Sequence, residues 1–83
     1  MTVREILEKL EAFRNRAEER KDYYNWVYAD EWISFFETNF FEDEYGEYSL
    51  DTEFELGESE EDYAMEQGSV YTDALLDFIV ELL

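Results

Sequence analysis

Hydrophobic residues near the start of the chain recur every three or four positions, as they do on one face of an α-helix. Thr2, followed by Glu5 three residues later, is the pattern of a capping box at a helix N-terminus. The two features predict an amphipathic helix from Val3 to about Arg20, with its charged residues facing water. The hydrophobic residues on its buried face are Val3, Ile6, Leu7, Leu10, Phe13 and Ala17.

The next segment, 22–41 (DYYNWVYADEWISFFETNFF), keeps the helical period but is far richer in aromatic residues. Its apolar face is too wide for a helix that lies alone on a surface. We therefore predict either the core helix of the domain or a helix that exposes aromatic side chains to a partner. Because a small domain cannot cover them all, we expect one or two of Tyr23, Tyr24, Tyr28 and Trp32 to remain partly exposed.

At Glu47 the pattern changes to a one-by-one alternation of apolar and polar residues that continues to Leu56. This alternation predicts a β-strand with one apolar face and one acidic face. A single strand is not stable alone, so we expect it to pair with residues 40–45 through a turn at Gly46, or with a second copy of the chain. The second arrangement leaves a homodimer open.

Two further helices are predicted after the strand. Ser59 opens the first, SEEDYAMEQG, with Asp62 at the capping-box position and Gly68 at its end. Ser69 or Thr72 caps the second, which has Val70, Ala74, Leu75, Phe78, Ile79 and Leu82 on one face. The predicted fold is a single small α+β domain over 1–83, mainly α, with about four helices and one acidic strand or hairpin in the order α-α-β-α-α.

Charge is distributed very unevenly along the chain. The 83 residues include 24 Asp and Glu but only six Lys and Arg, a net charge of −18, and every basic residue lies within 1–21. Residues 22–83 therefore carry acids without a single base. Such a surface repels nucleic acids and anionic membranes and attracts basic proteins. Two like charges ~6 Å apart in water repel by about 0.7 kcal/mol, so we expect crowding to raise several carboxylate pKa values and added salt to stabilise the fold.

Other function classes find little support. The chain has no Cys and no His, and it has no glycine-rich phosphate loop, GxSxG or HExxH motif. We expect neither an enzyme nor a bound cofactor or metal. The acidic loop FEDEYGEYSLDT has Phe41 and Thr52 where a calcium-binding EF-hand needs acids. The N-terminal segment is not that of a signal peptide and no apolar run is long enough to span a membrane, so we expect a cytoplasmic protein.

The stretch EDEYGEYSLDTEFELGESEEDY interleaves acids with aromatic residues in a small protein without Cys. In this character, over 42–81, the chain resembles phage-encoded DNA-mimic proteins: anti-restriction and anti-CRISPR proteins, inhibitors of uracil-DNA glycosylase and inhibitors of histone-like proteins. These families share no fold, so no residue is carried over by alignment. The resemblance implies an inhibitor that occupies the basic nucleic-acid-binding groove of a host protein.

On this interpretation, carboxylates stand in for phosphates and a tyrosine supplies an amphipathic anchor. The candidate carboxylates are Asp43, Glu44, Glu47, Asp51, Glu53, Glu55, Glu58, Glu60, Glu61 and Asp62, and the candidate anchors are Tyr45, Tyr48 and Tyr63. Asp73, Asp77 and Glu81 form a second row. In the strand, alternate carboxylates would lie ~6.7 Å apart, close to the spacing of phosphates.

Three alternatives explain the same acidity. The chain could be a nuclease immunity protein or antitoxin-like neutraliser that surrounds an aromatic hot spot with acids. It could be an acidic interaction domain without inhibitory activity, or a domain adapted to high salt. It could also be an acidic, aromatic activation segment of the disordered kind, which the predicted capped helices disfavour.

Overall fold

The structure is a computed structural model that describes residues 1–42, 46, 48–66 and 72–83. Its helices are α1 (Val3–Arg20), α2 (Tyr23–Asn39), α3 (Glu58–Glu66) and α4 (Thr72–Leu82). Helices make up 74% of the described residues, so the prediction of a mainly α domain is confirmed. No helix in the described ranges is long and apolar enough to cross a membrane.

Helix α1 begins and ends where its sequence signals predict. The Thr2 side chain accepts a hydrogen bond from the Glu5 backbone N–H, and the Glu5 carboxylate accepts one from the Thr2 N–H, which completes the capping box. At the other end Lys21 takes a left-handed conformation with φ of 58°. Asp22 then caps α2, so the two long helices are joined by a very short connection and pack side by side.

Helix α2 is the core helix of the domain. Trp32 and Phe36 are fully buried, and the Trp32 indole Nε1–H donates to the Leu75 carbonyl of α4 at 2.9 Å. At the start of the same helix, Tyr23 and Tyr24 are 70% and 76% exposed, as expected for aromatics that the small domain cannot cover. The other helices contribute to the core through Val3, Ile6, Leu10, Ala64, Leu75 and Ile79.

The predicted acidic strand is wrong, and with it the order α-α-β-α-α. Residues 48–53 form turns and a bend, 54–56 have no regular secondary structure, and the bridges to other described residues are two isolated ones, between Phe41 and Ser49 and between Thr2 and Glu53. The carbonyls of Leu50 and Thr52 accept hydrogen bonds from the first backbone N–H groups of α1, at 2.8 and 3.0 Å. Free N–H groups at a helix N-terminus need such acceptors, so this segment is bonded to the end of a helix and not to a neighbouring strand.

The alternation of residues over 48–56 nevertheless reports which side chains face inwards. Phe54 is 9% exposed and belongs to the core, and Leu50 and Leu56 pack against it. Gly46 has a positive φ of 118°, which glycine adopts without strain, within the predicted turn. The period of two therefore identified Leu50, Phe54 and Leu56 as inward-facing, but Tyr48 of the predicted apolar face is 60% exposed and Ser49 of the polar face is 5% exposed.

The start of α3 differs from its prediction by two residues. The helix begins at Glu58, and the Gly57 backbone N–H donates to Glu60 Oε2 at 2.7 Å. Glu60 therefore does what was predicted for Asp62, because Glu60 lies three residues after the true capping position. The predicted stop at Gly68 and the cap at Ser69 lie outside the described residues, and Thr72 is the first residue of α4.

Candidate functional site

The acids that follow α2 meet a cation from α1. Arg4 donates to both carboxylate oxygens of Glu42, at 2.8 and 3.1 Å, and its Nε–H donates to Asp51 Oδ1 at 3.0 Å. The hydrogen bond from Arg4 and its positive charge lower the pKa of Glu42, and the same two acids raise the pKa of Arg4. Asp51, a predicted phosphate mimic, thus shares the single positive charge of Arg4 with Glu42.

Glu53 and Glu55 differ in whether they form an ion pair. Glu53 Oε2 lies 2.9 Å from the amino group of Met1, whereas Glu55 is exposed and has no ion partner among the described residues. Because 48–56 is not a strand, the regular ~6.7 Å spacing expected for Asp51, Glu53 and Glu55 does not apply. Of the predicted loop anchors, Tyr48 is 60% exposed. Asp43, Glu44, Tyr45 and Glu47 lie outside the described residues.

Helix α3 presents a different kind of acidic surface. Four of its carboxylate residues are exposed, and their spacing of three and four places them on one side of the helix, ~5–6 Å from neighbour to neighbour. Met65, 65% exposed, lies among them. The opposite side of the helix carries the buried Ala64 and Glu60. The four residues, called here the α3 acidic face, are Glu58, Glu61, Asp62 and Glu66.

Glu60 is not part of that face. It is 8% exposed, and its carboxylate accepts the Gly57 backbone N–H described above. This predicted phosphate mimic therefore holds the start of the helix in place and leaves little of itself to a partner.

Tyr63 connects α3 to the acids of α2. Its hydroxyl lies 3.0 Å from both the backbone carbonyl and the carboxylate Oε2 of Glu31, and its ring stacks near Phe35 with centroids 4.8 Å apart. Burial is the largest cause that raises the pKa of Tyr63 to about 12, followed by the hydrogen bond to Glu31 and the negative charges of Glu31, Asp30 and Glu66. Tyr63 is therefore a packing residue more than a free anchor.

Acids from two helices contribute to the raised pKa of Tyr63 after burial does. Glu31 on α2 and, more weakly, Glu66 on α3 oppose the ionisation of this phenol. Asp30, the third acid, is paired with Arg14 of α1 at 2.8 Å. Glu31, which Tyr63 contacts through its hydroxyl, and the α3 acidic face are together called here the α2–α3 acidic surface.

Three residues of this region were missed by the sequence analysis. Glu66 lies four residues after Asp62, so the helical spacing that links Glu58 to Asp62 was a signal for it. Met65 had the same signal. Glu31 had no local signal, because only the packing of Tyr63 against α2 brings it to α3. Glu42, which Arg4 holds, was likewise overlooked.

The chemistry available to this surface is that of fixed acceptors. Ionised carboxylates accept charge-assisted hydrogen bonds from arginine and lysine, and Arg–carboxylate pairs are often bidentate. No group of three or more acids in the described part of the chain is arranged to hold a metal ion. Comparison with protein-family models, with curated proteins and with solved structures finds no match.

Proposed function

We propose that the protein is a DNA-mimic inhibitor that places the α2–α3 acidic surface in the basic nucleic-acid-binding groove of a host protein. The observation that carries the proposal is that the carboxylates of this surface have no ion partner among the described residues, while Asp30, Glu42 and Asp51 nearby in the chain are paired. Unpaired charge on a rigid helix is available for an external cation.

The physical advantage of such an inhibitor is preorganisation. Carboxylates on a folded helix need no ordering on binding, whereas duplex DNA often has to bend to fit its protein. A partner groove releases its own counter-ions when it binds these carboxylates. The net charge of −18 also accelerates association at low salt. Affinity should therefore fall steeply as salt concentration rises.

Within this proposal the phosphate mimics are concentrated on α3. Glu58, Glu61 and Asp62 of the predicted set contribute most, joined by Glu66, and Glu55 lies just before the helix. Asp51 contributes less, because a partner arginine has to compete with Arg4. The proposed location is the cytoplasm in which the target works.

One observation favours the alternative of an immunity protein or other neutraliser. Tyr23 and Tyr24 are the two most exposed aromatic residues described, and Val27 beside them is 38% exposed. Exposed tyrosines are typical of interface hot spots, which DNA mimicry does not require. A homodimer could no longer form by pairing of two acidic strands, because 48–56 is not a strand. The exposed tyrosines are the surface that would serve a homodimer instead.

A competition experiment separates these functions. The immobilised protein captures basic proteins from a bacterial lysate at low salt, and duplex DNA is then added. Displacement of the captured protein by DNA supports mimicry. A captured protein that retains its DNA while bound contradicts mimicry and supports the neutraliser or the non-inhibitory domain. Elution with the same concentration of phosphate ions controls for charge alone.

A further inference from the structure

A groove lined by residues of α1, α2 and α4 has a chemistry different from that of α3. It lies between α1 and α4, has a volume of about 600 Å³, and is lined by apolar rings and by two cations. Cavities of ~300–1,000 Å³ are typical of small-ligand sites. The charged and large apolar residues that line the groove are Lys9, Phe13, Arg16, Phe78, Glu81 and Leu82.

The apolar part of the groove is formed by two rings and a leucine. Phe13 of α1 and Phe78 of α4 meet edge to face, with centroids 5.0 Å apart and planes at 86°. Leu82 lies one turn beyond Phe78 on α4, and all three side chains are half-buried. An apolar ligand body laid against them would cover surface that the protein itself leaves partly in water.

The cations frame these rings. Lys9 lies four residues before Phe13 and Arg16 three residues after it, so both occupy the same side of α1 as the ring. The Arg16 guanidinium carbon is 5.8 Å from the Phe13 centroid, within reach of a cation–π contact. Within the described ranges neither cation forms an ion pair, although the chain carries 24 acids.

We propose that this groove binds an apolar monocarboxylate, with its carboxylate between Lys9 and Arg16 and its body against Phe13, Phe78 and Leu82. Charge complementarity favours an anion at the rim. Glu81, on the opposite wall, disfavours a second negative charge on the ligand. The overall charge of −18 repels polyanions such as nucleic acids, whereas a single carboxylate is governed mainly by the groove, because charges beyond ~8 Å are screened at physiological salt.

The test is titration of the ¹⁵N-labelled protein with 2-naphthoate, followed by amide chemical shifts, with 2-naphthalenemethanol as the neutral probe of the same shape. We expect naphthoate to shift amides of α1 and α4 around the groove and to bind more tightly than the alcohol. Equal affinity for the two probes, or shifts confined to other parts of the protein, would overturn the proposal. So would an absence of shifts up to the solubility limit of naphthoate.

Variants locate the charge contribution. Lys9→Gln/Arg16→Gln should weaken naphthoate binding about tenfold. The control, Arg20→Gln/Lys21→Asn, removes two exposed cations at the C-terminal end of α1, outside the groove. It has the same net charge as the first variant and should change the affinity for naphthoate by less than about twofold. Equal losses in the two variants would contradict a specific site.

A third variant is expected to gain affinity, so its effect cannot be explained by misfolding. Glu81→Gln keeps both cations and should tighten naphthoate binding about twofold, because it removes a negative charge facing the ligand. Unchanged or weaker binding in Glu81→Gln, with the helical circular dichroism spectrum intact, would place the carboxylate elsewhere.

Discussion

Two acidic regions of the molecule, the loop 48–56 with three carboxylates and helix α3 with five, differ in what surrounds these groups. Asp51 of the loop is held by Arg4, whereas α3 has no basic residue of its own and no ion partner in the described structure. The loop uses its charge to fasten α1 to the remainder of the domain. Helix α3 leaves its charge to the solvent or to a partner, so acids in the two regions have different consequences.

The largest expected effect concerns the proposed partner. Glu58→Gln/Glu61→Gln/Asp62→Asn/Glu66→Gln should weaken binding of a DNA-displaceable partner by about 100-fold, since four exposed charge pairs contribute ~0.7 kcal/mol each. The matched control is Glu8→Gln/Glu11→Gln/Glu18→Gln/Glu19→Gln, which removes four exposed charges of α1. Surface plasmon resonance at fixed salt compares them, and equal losses would move the contact away from α3.

The next effect tests the role of the loop in stability. Arg4→Gln leaves Glu42 and Asp51 without their cation, so it should lower the Tm clearly more than Arg20→Gln, which removes an exposed cation that has no ion partner in the described structure. Thermal unfolding followed by circular dichroism measures both. Similar Tm values for the two variants would show that the loop is not fastened by its ion pairs.

Removing two acids from α3 and removing the two acids that Arg4 binds should have opposite results. Asp62→Asn/Glu66→Gln relieves repulsion along α3, about 0.7 kcal/mol for charges ~6 Å apart before screening, and removes an acid from the negative end of the helix dipole, so it should raise the Tm. Glu42→Gln/Asp51→Asn removes the partners of Arg4 and should lower it. The rise should shrink at high salt, where like-charge repulsion is screened. A Tm change of the same sign in both variants would remove the distinction between the regions.

The smallest effect is a pH dependence at Tyr63. Its pKa is raised from the ordinary 10.0 to about 12 in the folded protein, mainly by burial and then by Glu31. Because the neutral phenol is favoured by folding, its contribution to stability is complete below pH 10 and is lost as the pH rises from 10 to 12. Urea unfolding across this range should show a steeper loss in the wild type than in Tyr63→Phe. Tyr24→Phe, at an exposed position, should behave like the wild type.

Local signals in the sequence predict the ends of helices best where they are complete. The start of α1 was predicted correctly because Thr2 and Glu5 form a complete capping box within four residues. The exposure of Tyr23 and Tyr24 followed from an aromatic face wider than a small domain can cover. At α3 the predicted cap was Ser59, whereas the hydrogen bond from the Gly57 N–H to Glu60 places the start of the helix two residues earlier.

The candidate site was predicted less well, because ion pairs between residues distant in sequence decide which acids are free. The sequence pattern places both Asp51 and Asp62 on the polar side of their segments. It does not show that Arg4, 47 residues before Asp51, pairs with Asp51 and not with Asp62. The raised pKa of Tyr63 likewise depends on Glu31, which lies 32 residues away. We expected crowding to raise carboxylate pKa values, whereas hydrogen bonds lower those of Glu5 and Glu42.

The sequence by itself determined the helical class, the core helix, and the confinement of every basic residue to 1–21, because helix periodicity and charge content are local properties. Tertiary structure decided that 48–56 is a loop bonded to the start of α1, since the helix's free N–H groups compete for the same carbonyls that a strand would need. It also decided which acids are paired. Ion pairs require atoms within about 4 Å of one another, and only the folded chain brings residues distant in sequence so close.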